Sequence, residues 1–188
     1  MKDNSTKKWF SFLKENKEVK NNIKGAAFVV LCDNQILFLR RVGSLEHGGG
    51  QLTAGPGGGY DERDNFENES HENGIAFNTA LREAKEEIGV DYLDNSPIDS
   101  FVEKSGDGSF TVFLIECLSK HDCYLDTKEH DAWAWLDVDD VYQALGRGGK
   151  IISGNFFDDK GKKIEVVANI HGNTIRALKH FKSHIKGE

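Results

Sequence analysis

The sequence predicts an α+β fold, or a mixed α/β sandwich, in which helices flank a sheet. Stretches with strand character and amphipathic helical stretches both occur along the chain, and they do not alternate strictly. No internal repeat and no linker divides the 188 residues, a length that fits one domain with additions. We therefore expect an N-terminal helical extension over residues 1–22 and a single domain over residues 23–188, which includes a C-terminal helix.

The first half of the chain predicts two helices on either side of a β-hairpin. Apolar residues at i, i+3 and i+4 indicate the helices, and apolar stretches around a polar turn indicate the hairpin. In order, the predictions are a helix over 7–20, strands over 23–32 and 36–41, a glycine-rich stretch over 47–59, an aperiodic polar loop over 60–74, and a helix over 76–88 that ends at Gly89.

The second half predicts three or four more strands and two more helices. A Gly106-Asp107-Gly108 turn separates two of the strands, and a third strand places Trp133 and Trp135 on one face. An apolar stripe at helical spacing marks the last helix as a packing element. In order, the predictions are strands over 98–104, 109–118 and 132–136, a helix over 138–145, a further strand over 164–168, and a helix over 173–185.

Composition and charge exclude several classes of protein. The chain has 24 Lys and Arg against 31 Asp and Glu, a net charge of −7, which disfavours nucleic acid as a partner. The longest apolar stretch, residues 26–32, is far shorter than a membrane-spanning helix, and the N-terminus lacks the apolar core of a secretory signal. Three irregularly spaced cysteines favour a reduced, cytoplasmic protein.

Three glutamates share one face of the predicted helix over 76–88. At about 100° per residue, Glu83, Glu86 and Glu87 fall within one third of the circumference, and apolar residues occupy the adjoining face. Neighbouring carboxylates repel one another, and a hard divalent cation with oxygen ligands would resolve that repulsion. The alternative is a solvated helix face with mixed charges. That alternative explains the glutamates but not the glycine-rich turn upstream of them.

These residues resemble a known family motif. The stretch REAKEEIGV, residues 82–90, resembles the C-terminal half of the Nudix box, and Pro56-Gly57-Gly58 resembles the turn that opens the box. Glu129-His130, followed by the aromatic stretch over 133–136, resembles a later glutamate and strand of the same family. The likeness spans roughly residues 23–145, so the chain is identified as a member of the Nudix family.

The resemblance implies a mixed sheet flanked by helices and a hydrolase that cleaves a diphosphate linkage in a nucleoside diphosphate derivative. It implies Mg²⁺ as the cofactor, with Mn²⁺ as the alternative ion. Glu86 and Glu87 would be the principal metal ligands, and Glu83 a ligand or a proton acceptor. The backbone carbonyl of Gly57 would complete the coordination, because a glycine turn lets the backbone approach an ion closely.

Further residues are candidates for catalysis and substrate binding. Glu129 is a candidate extra ligand or general base from outside the helix, with an exposed turn acid as the alternative. Arg41, or Arg40 on the opposite strand face, is a candidate for neutralising substrate phosphate. Trp133 or Trp135 is a candidate for stacking on a base, with a place in the core as the alternative.

The chain departs from the family pattern at the first acid of the box. Counted back from Arg82, the position of that glutamate is held by Gly74, and about ten extra residues separate Gly58 from Arg82. Residues 60–74 are therefore predicted to be an insertion that splits the box and lies at the rim of the site. The candidates for the missing acid, which steadies the loop in the family, are Glu72, Asp61 and Glu62.

Two functions are compatible with this departure. The first is an active pyrophosphohydrolase with a small-molecule nucleotide substrate. The alternative is a catalytically impaired nucleotide-binding or regulatory module on the same fold, although such a module has no need for three like charges on one helix face. The sequence leaves open which nucleoside diphosphate derivative is the substrate and whether the protein is a homodimer.

Overall fold

In the part of the chain that the structure describes, a mixed sheet of nine strands forms the middle layer. The computed structural model describes residues 23–65, 72–146 and 151–187, so the predicted helix over 7–20 lies outside the described residues. The strands are β1 (Ile23–Cys32), β2 (Gln35–Arg41), β3 (Leu52–Thr53), β4 (Gly57–Gly59), β5 (Asp99–Ser105), β6 (Gly108–Glu116), β7 (His130–Asp137), β8 (Ile151–Phe157) and β9 (Lys163–Asn169).

The strand order is β5-β6-β1-β2-β7-β8-β9, with β3 paired to β2 and β4 paired to β1. Strands β1 and β6 are parallel, and the other named strand pairs in the described residues are antiparallel. The β1–β2 hairpin turns through Asp33 and Asn34, whose φ angles are 47° and 61°. Asp and Asn tolerate this left-handed conformation better than most residues, which explains the polar turn.

One face of the sheet is covered by helix α1 (Glu72–Ile88). Its buried alanines, Ala76, Ala80 and Ala84, recur every four residues and let the helix lie close to the strands. They pack with the buried aromatic rings of Phe28 and Phe113 into one apolar cluster.

The opposite face is covered by helices α2 (Val138–Gly146), α3 (Gly172–His180) and α4 (Lys182–Lys186). Val141, Leu178 and Ile185 from these helices pack with strand residues in a second apolar cluster. The strands alternate between the two clusters: Phe38 belongs to the second cluster and Leu39 to the first. The predicted sandwich of helices on both sides of a mixed sheet is therefore confirmed.

Several element boundaries differ from the prediction. Helix α1 begins at Glu72, and a short 3-10 turn spans Glu62–Asp64, so the prediction of one aperiodic loop over 60–74 is wrong at both ends. Strand β8 was not predicted, because residues 151–157 combine apolar residues with a glycine and an asparagine. The predicted terminal helix is divided at Phe181.

The structure also describes the three cysteines and the apolar character of the helices. Cys32, Cys117 and Cys123 are all buried and free. No helix in the described part of the chain is long and apolar enough to cross a membrane.

Replacing Phe113 with alanine is expected to destabilise the fold by about 3–5 kcal/mol. Phe113 is fully buried, and its ring packs edge-to-face on Phe77 at a centroid distance of 5.3 Å. Urea denaturation followed by circular dichroism measures the free energy of unfolding. The control is Val167→Ala, because Val167 is 66% exposed on β9. Equal losses in the two variants would show that the aromatic cluster does not hold α1 to the sheet.

Candidate active site

Arg82 forms ion pairs with two of the three glutamates that were predicted to share one helix face. Its Nη1 donates to Glu86 Oε2 at 2.7 Å, and its Nη2 lies 2.8 Å from Glu83 Oε1. Nη2 also donates to the backbone carbonyl of Gly59 at 2.7 Å. Arg82 thus forms ion pairs with two helix glutamates, and its bond to Gly59 ties α1 to the end of β4.

The acid that anchors Arg82 is Asp64, which was not predicted. Arg82 Nε donates to Asp64 Oδ1 at 2.8 Å, and Nη2 donates to Oδ2 at 3.2 Å. Asp64 is 2% exposed and also accepts hydrogen bonds from the Thr79 hydroxyl and the Asp61 backbone. Burial alone would raise the pKa of Asp64, but hydrogen bonds from Arg82, Asp61 and Thr79 together lower it.

Asp64 occupies the position that the family motif gives to its first acid. Five residues separate Gly58 from Asp64, the spacing of the motif when it is counted forward from its glycine. Counting backward from Arg82 misses Asp64, because the extra residues lie between Asp64 and Arg82. Of the three acids predicted for this role, Asp61 instead caps the 3-10 turn and pairs with Arg63, which holds its pKa down at about 2. In this structure the acid that anchors Arg82 is therefore Asp64, and none of the three predicted candidates.

Glycine at positions 57 and 58 lets the backbone lie directly against the helix carboxylates. A Cβ on Gly58 would lie 2.5 Å from the carboxyl carbon of Glu83, and one on Gly57 would lie 2.2 Å from the Cβ of Ala27. The backbone N–H of Gly57 donates to Glu87 Oε2 at 2.9 Å. Since the N–H and C=O of a strand residue point to the same side, the Gly57 carbonyl also faces α1.

Glu87 is a buried carboxylate among other carboxylates. It is 4% exposed, and burial, together with the charges of Glu83 and Glu129, raises its pKa to about 8. The Gly57 N–H and the charge of Arg41 oppose that shift. Burial likewise raises the pKa of Glu83, against the opposing charge of Arg82. The site therefore favours positive charge beside Glu87.

The donor set fits a divalent cation by its chemistry. Carboxylate oxygens and a backbone carbonyl are the ligands that Mg²⁺ takes, and a cation would relieve the unfavourable burial of Glu87. In the described residues, however, no three such side chains already form a group ready to hold a metal ion. Arg82 pairs with one oxygen each of Glu83 and Glu86, and the Gly57 N–H with one oxygen of Glu87, so each carboxylate keeps acceptor sites that could bind an ion.

Glu129 is half-buried, and it lies close enough to Glu87 for their charges to interact. Its backbone N–H donates to the Asp126 carbonyl, and the backbone N–H of Asp126 in turn donates to the Glu87 carbonyl at 2.8 Å. The backbone carbonyl of Glu129 accepts from Val42 at the end of β2. These contacts hold the segment that carries Glu129 against the end of α1.

A cavity of about 310 Å³ is lined in part by Gly57 and Gly58, the glycines that contact Glu87 and Glu83, although no glutamate of α1 lines it. Its wall is formed by β1, by the turn that leads into β4, and by the N-terminal end of α3. Arg41 lies in this wall, and its buried Nε has no hydrogen-bond partner in the described residues. The residues that line it are Ala27, Phe28, Val29, Arg41, His47, Thr53, Ala54, Gly55, Gly57, Gly58, Gly59, Phe110, Val112, His171, Asn173, Thr174 and Ala177.

The other predicted substrate residues lie elsewhere. Arg40 is paired with Asp131 at 2.6 Å and does not line the cavity. Trp133 packs with the α1-side cluster and against Phe157, with ring centroids 5.1 Å apart, and Trp135 donates its indole N–H to the His121 carbonyl. The alternation of β7 explains this placement, because its odd-numbered side chains face away from the cavity wall that Ala27, Val29 and Val112 form.

Both the sequence and the fold are similar to those of known proteins. The NUDIX domain family model matches residues 23–155. Among solved structures, an Ap4A hydrolase from C. elegans superposes with a TM-score of 0.54 at 16% identity, covering 88% of this chain and all of that one. A Nudix hydrolase from M. smegmatis, RenU, gives 0.57 at 12% identity, covering 88% and 86%. No curated protein sequence matches the chain.

Replacing Asp64 with asparagine is expected to lower the free energy of unfolding by about 1–3 kcal/mol, because Arg82 loses its most buried partner. Urea denaturation at neutral pH measures this loss. Glu62→Gln is the matched control, since Glu62 lies in the same 3-10 turn but is exposed. If both variants were equally stable, Asp64 would not be the anchor of Arg82.

The stability of the metal-free protein is expected to depend on pH through Glu87. Its folded pKa of about 8 lies above the ordinary value of 4.5, so folding favours the protonated form. This stabilisation is complete below about pH 4.5 and is lost as the pH rises through 8. The Glu87→Gln side chain stays neutral at every pH. The stability of this variant relative to the wild type should therefore increase from pH 5 to pH 8.

Thermal unfolding in EDTA across this pH range tests that expectation. Glu165→Gln, an exposed change on β9, is the control that keeps the wild-type dependence. Parallel pH profiles for the wild type and Glu87→Gln would contradict the burial of a protonated Glu87.

Proposed function

The chain belongs to the NUDIX family, and from this premise we propose that it is a Mg²⁺-dependent pyrophosphohydrolase acting on a nucleoside diphosphate derivative. The observation that carries the proposal is the carboxylate cluster on α1, in which the buried Glu87 lies against the glycine turn and near the half-buried Glu83. A solvated helix face does not bury Glu87 to 4% exposure beside two further carboxylates. Such a perturbed site is typical of a functional centre.

The residues that would hold the ion are Glu83, Glu86 and Glu87, with the carbonyl of Gly57. Bound there, Mg²⁺ would neutralise phosphate oxygens and lower the pKa of a bound water. Arg82 keeps the carboxylates in place through its pairs with Asp64, Glu83 and Glu86 and is not placed at the cavity wall. Its part is to position the ligands.

The other residues of the site would handle the substrate and the proton. Phosphoryl transfer depends on positioning and on neutralising charge more than on covalent chemistry. Arg41 supplies a positive charge in the wall of the cavity, where a substrate phosphate would lie. Glu129 lies half-buried beside the glutamate cluster, so it is placed to accept a proton from the attacking water.

Replacing Glu86 with glutamine is expected to lower Mg²⁺-dependent hydrolysis by at least a factor of about 100, since phosphoryl transfer loses its main charge stabilisation without the metal. Glu86 is 48% exposed, so the fold should remain intact. Release of phosphate or nucleoside monophosphate from nucleoside triphosphates, nucleotide sugars and dinucleoside polyphosphates measures the activity.

Glu165→Gln is the control for this assay, because it removes the same charge from an exposed strand residue. Near wild-type turnover of Glu86→Gln, with an unchanged requirement for Mg²⁺, would overturn the metal assignment. A wild type that binds members of the panel without hydrolysing them would favour the nucleotide-binding module over the enzyme.

A further inference from the structure

His171 brings a part of the chain outside the family-matched region to the cavity. The family model matches residues 23–155, whereas His171 lies between β9 and α3 and lines the cavity. Its backbone N–H donates to the Leu52 carbonyl at 2.8 Å, and Ile170 pairs with Leu52 as an isolated bridge. The start of α3 is therefore fixed to β3, beside the glycine-rich stretch.

The hydrogen bonds of His171 define which ring nitrogen carries its proton. The ring caps α3, because Nδ1 accepts from the backbone N–H of Asn173 at 3.3 Å. An accepting Nδ1 leaves the proton of the neutral ring on Nε2. Burial, with the charges of Arg41 and Arg176, lowers the pKa of His171 and so favours the neutral ring. His171 thus presents an Nε2–H donor, and no residue in the described ranges accepts a hydrogen bond from it.

Arg41 supplies a second donor at the same place. A Cβ on Gly48 would lie 3.4 Å from Nε2 of His171 and 3.6 Å from Cδ of Arg41, so both side chains approach this glycine. The Nε–H of Arg41 is buried without an acceptor, and no described carboxylate forms an ion pair with its guanidinium. Donors left unpaired inside a cavity are costly unless a ligand supplies the acceptor.

We propose that His171 is a specificity-determining residue, which together with Arg41 binds a phosphate group of the substrate's diphosphate bridge. The proposal rests on the proposed function and deepens it. A cationic and a neutral donor side by side suit an anionic oxygen, and Arg41 is close enough to Glu87 for their charges to interact. The apolar wall formed by Ala27, Val29 and Val112 would then receive the organic part of the same substrate.

Titration with inorganic pyrophosphate and with ADP, both in EDTA, tests the contact directly. The readout is the nuclear magnetic resonance signal of each histidine ring in the full chain. The His171 ring signal is expected to shift with both probes, and pyrophosphate, which has no organic part, is the one that isolates the phosphate contact. The His184 ring, which pairs with Asp99 on an exposed surface, should not shift. An unmoved His171 signal overturns the proposal.

The variant His171→Asn removes the Nε2–H donor and keeps a good helix-capping residue. Its affinity for ADP in EDTA should fall about tenfold, the loss of one hydrogen bond to a charged group, while affinity for adenosine stays unchanged. His184→Asn is the matched control and should bind ADP as the wild type does. Equal losses for ADP and adenosine would overturn the phosphate contact. If the variant does not fold, the wild-type titration decides.

Kinetics separate this proposal from the proposed function. In the presence of Mg²⁺, His171→Asn should raise KM about tenfold for the best substrate and change kcat much less. If the wild type has no hydrolase activity, the proposed function is overturned. The shift of the His171 ring signal in EDTA is measured without Mg²⁺ and without turnover, so it tests the phosphate contact independently. A fall in kcat with unchanged KM would overturn the specificity role of His171.

Discussion

The charge of Arg82 is the interaction on which the rest of the site depends. Three carboxylates on one helix face repel one another, and α1 carries them because a guanidinium with five N–H donors lies among them. Arg82 contacts Glu83 and Glu86 from its own helix, Asp64 from the preceding turn and the carbonyl of Gly59. One side chain therefore fixes the helix to the strand end that faces it.

Burial of the site follows from this anchor and from the glycines opposite it. Without a Cβ, Gly58 lets the Glu83 carboxylate lie against the backbone, and Gly57 donates its N–H to Glu87. Glu87 then lies buried near Glu83 and Glu129, where its negative charge is disfavoured and a proton or a cation would stabilise it. The close packing of α1 against the glycine turn is therefore also the reason that Glu87 is more stable beside a positive charge.

How far the sequence predicts this arrangement depends on the range over which each signal acts. The face shared by Glu83, Glu86 and Glu87 follows from helical periodicity, and the sandwich follows from the mixture of strand and helix patterns. Asp64 was within reach, because its distance from Gly58 matches the family spacing, but the extra residues before Arg82 moved the backward count to Gly74. The alternation of a strand shows which side chains share a face, but not which face is turned toward the cavity. The sequence was therefore equally compatible with a place for Trp133 in the core.

The cavity wall could not be predicted, because tertiary packing alone brings its parts together. Arg41 and His171 are distant in sequence, and their approach depends on the bond from His171 to Leu52 and on the bare backbone of Gly48. No periodic pattern or local spacing marks His171, which lies in a short connection between β9 and α3. The carboxylates that would hold the metal come from the family-matched region, while part of the cavity wall comes from the segment that follows it. Relatives that share the helix glutamates can therefore differ in the cavity, because changes in the segment after residue 155 leave the Arg82 anchor untouched.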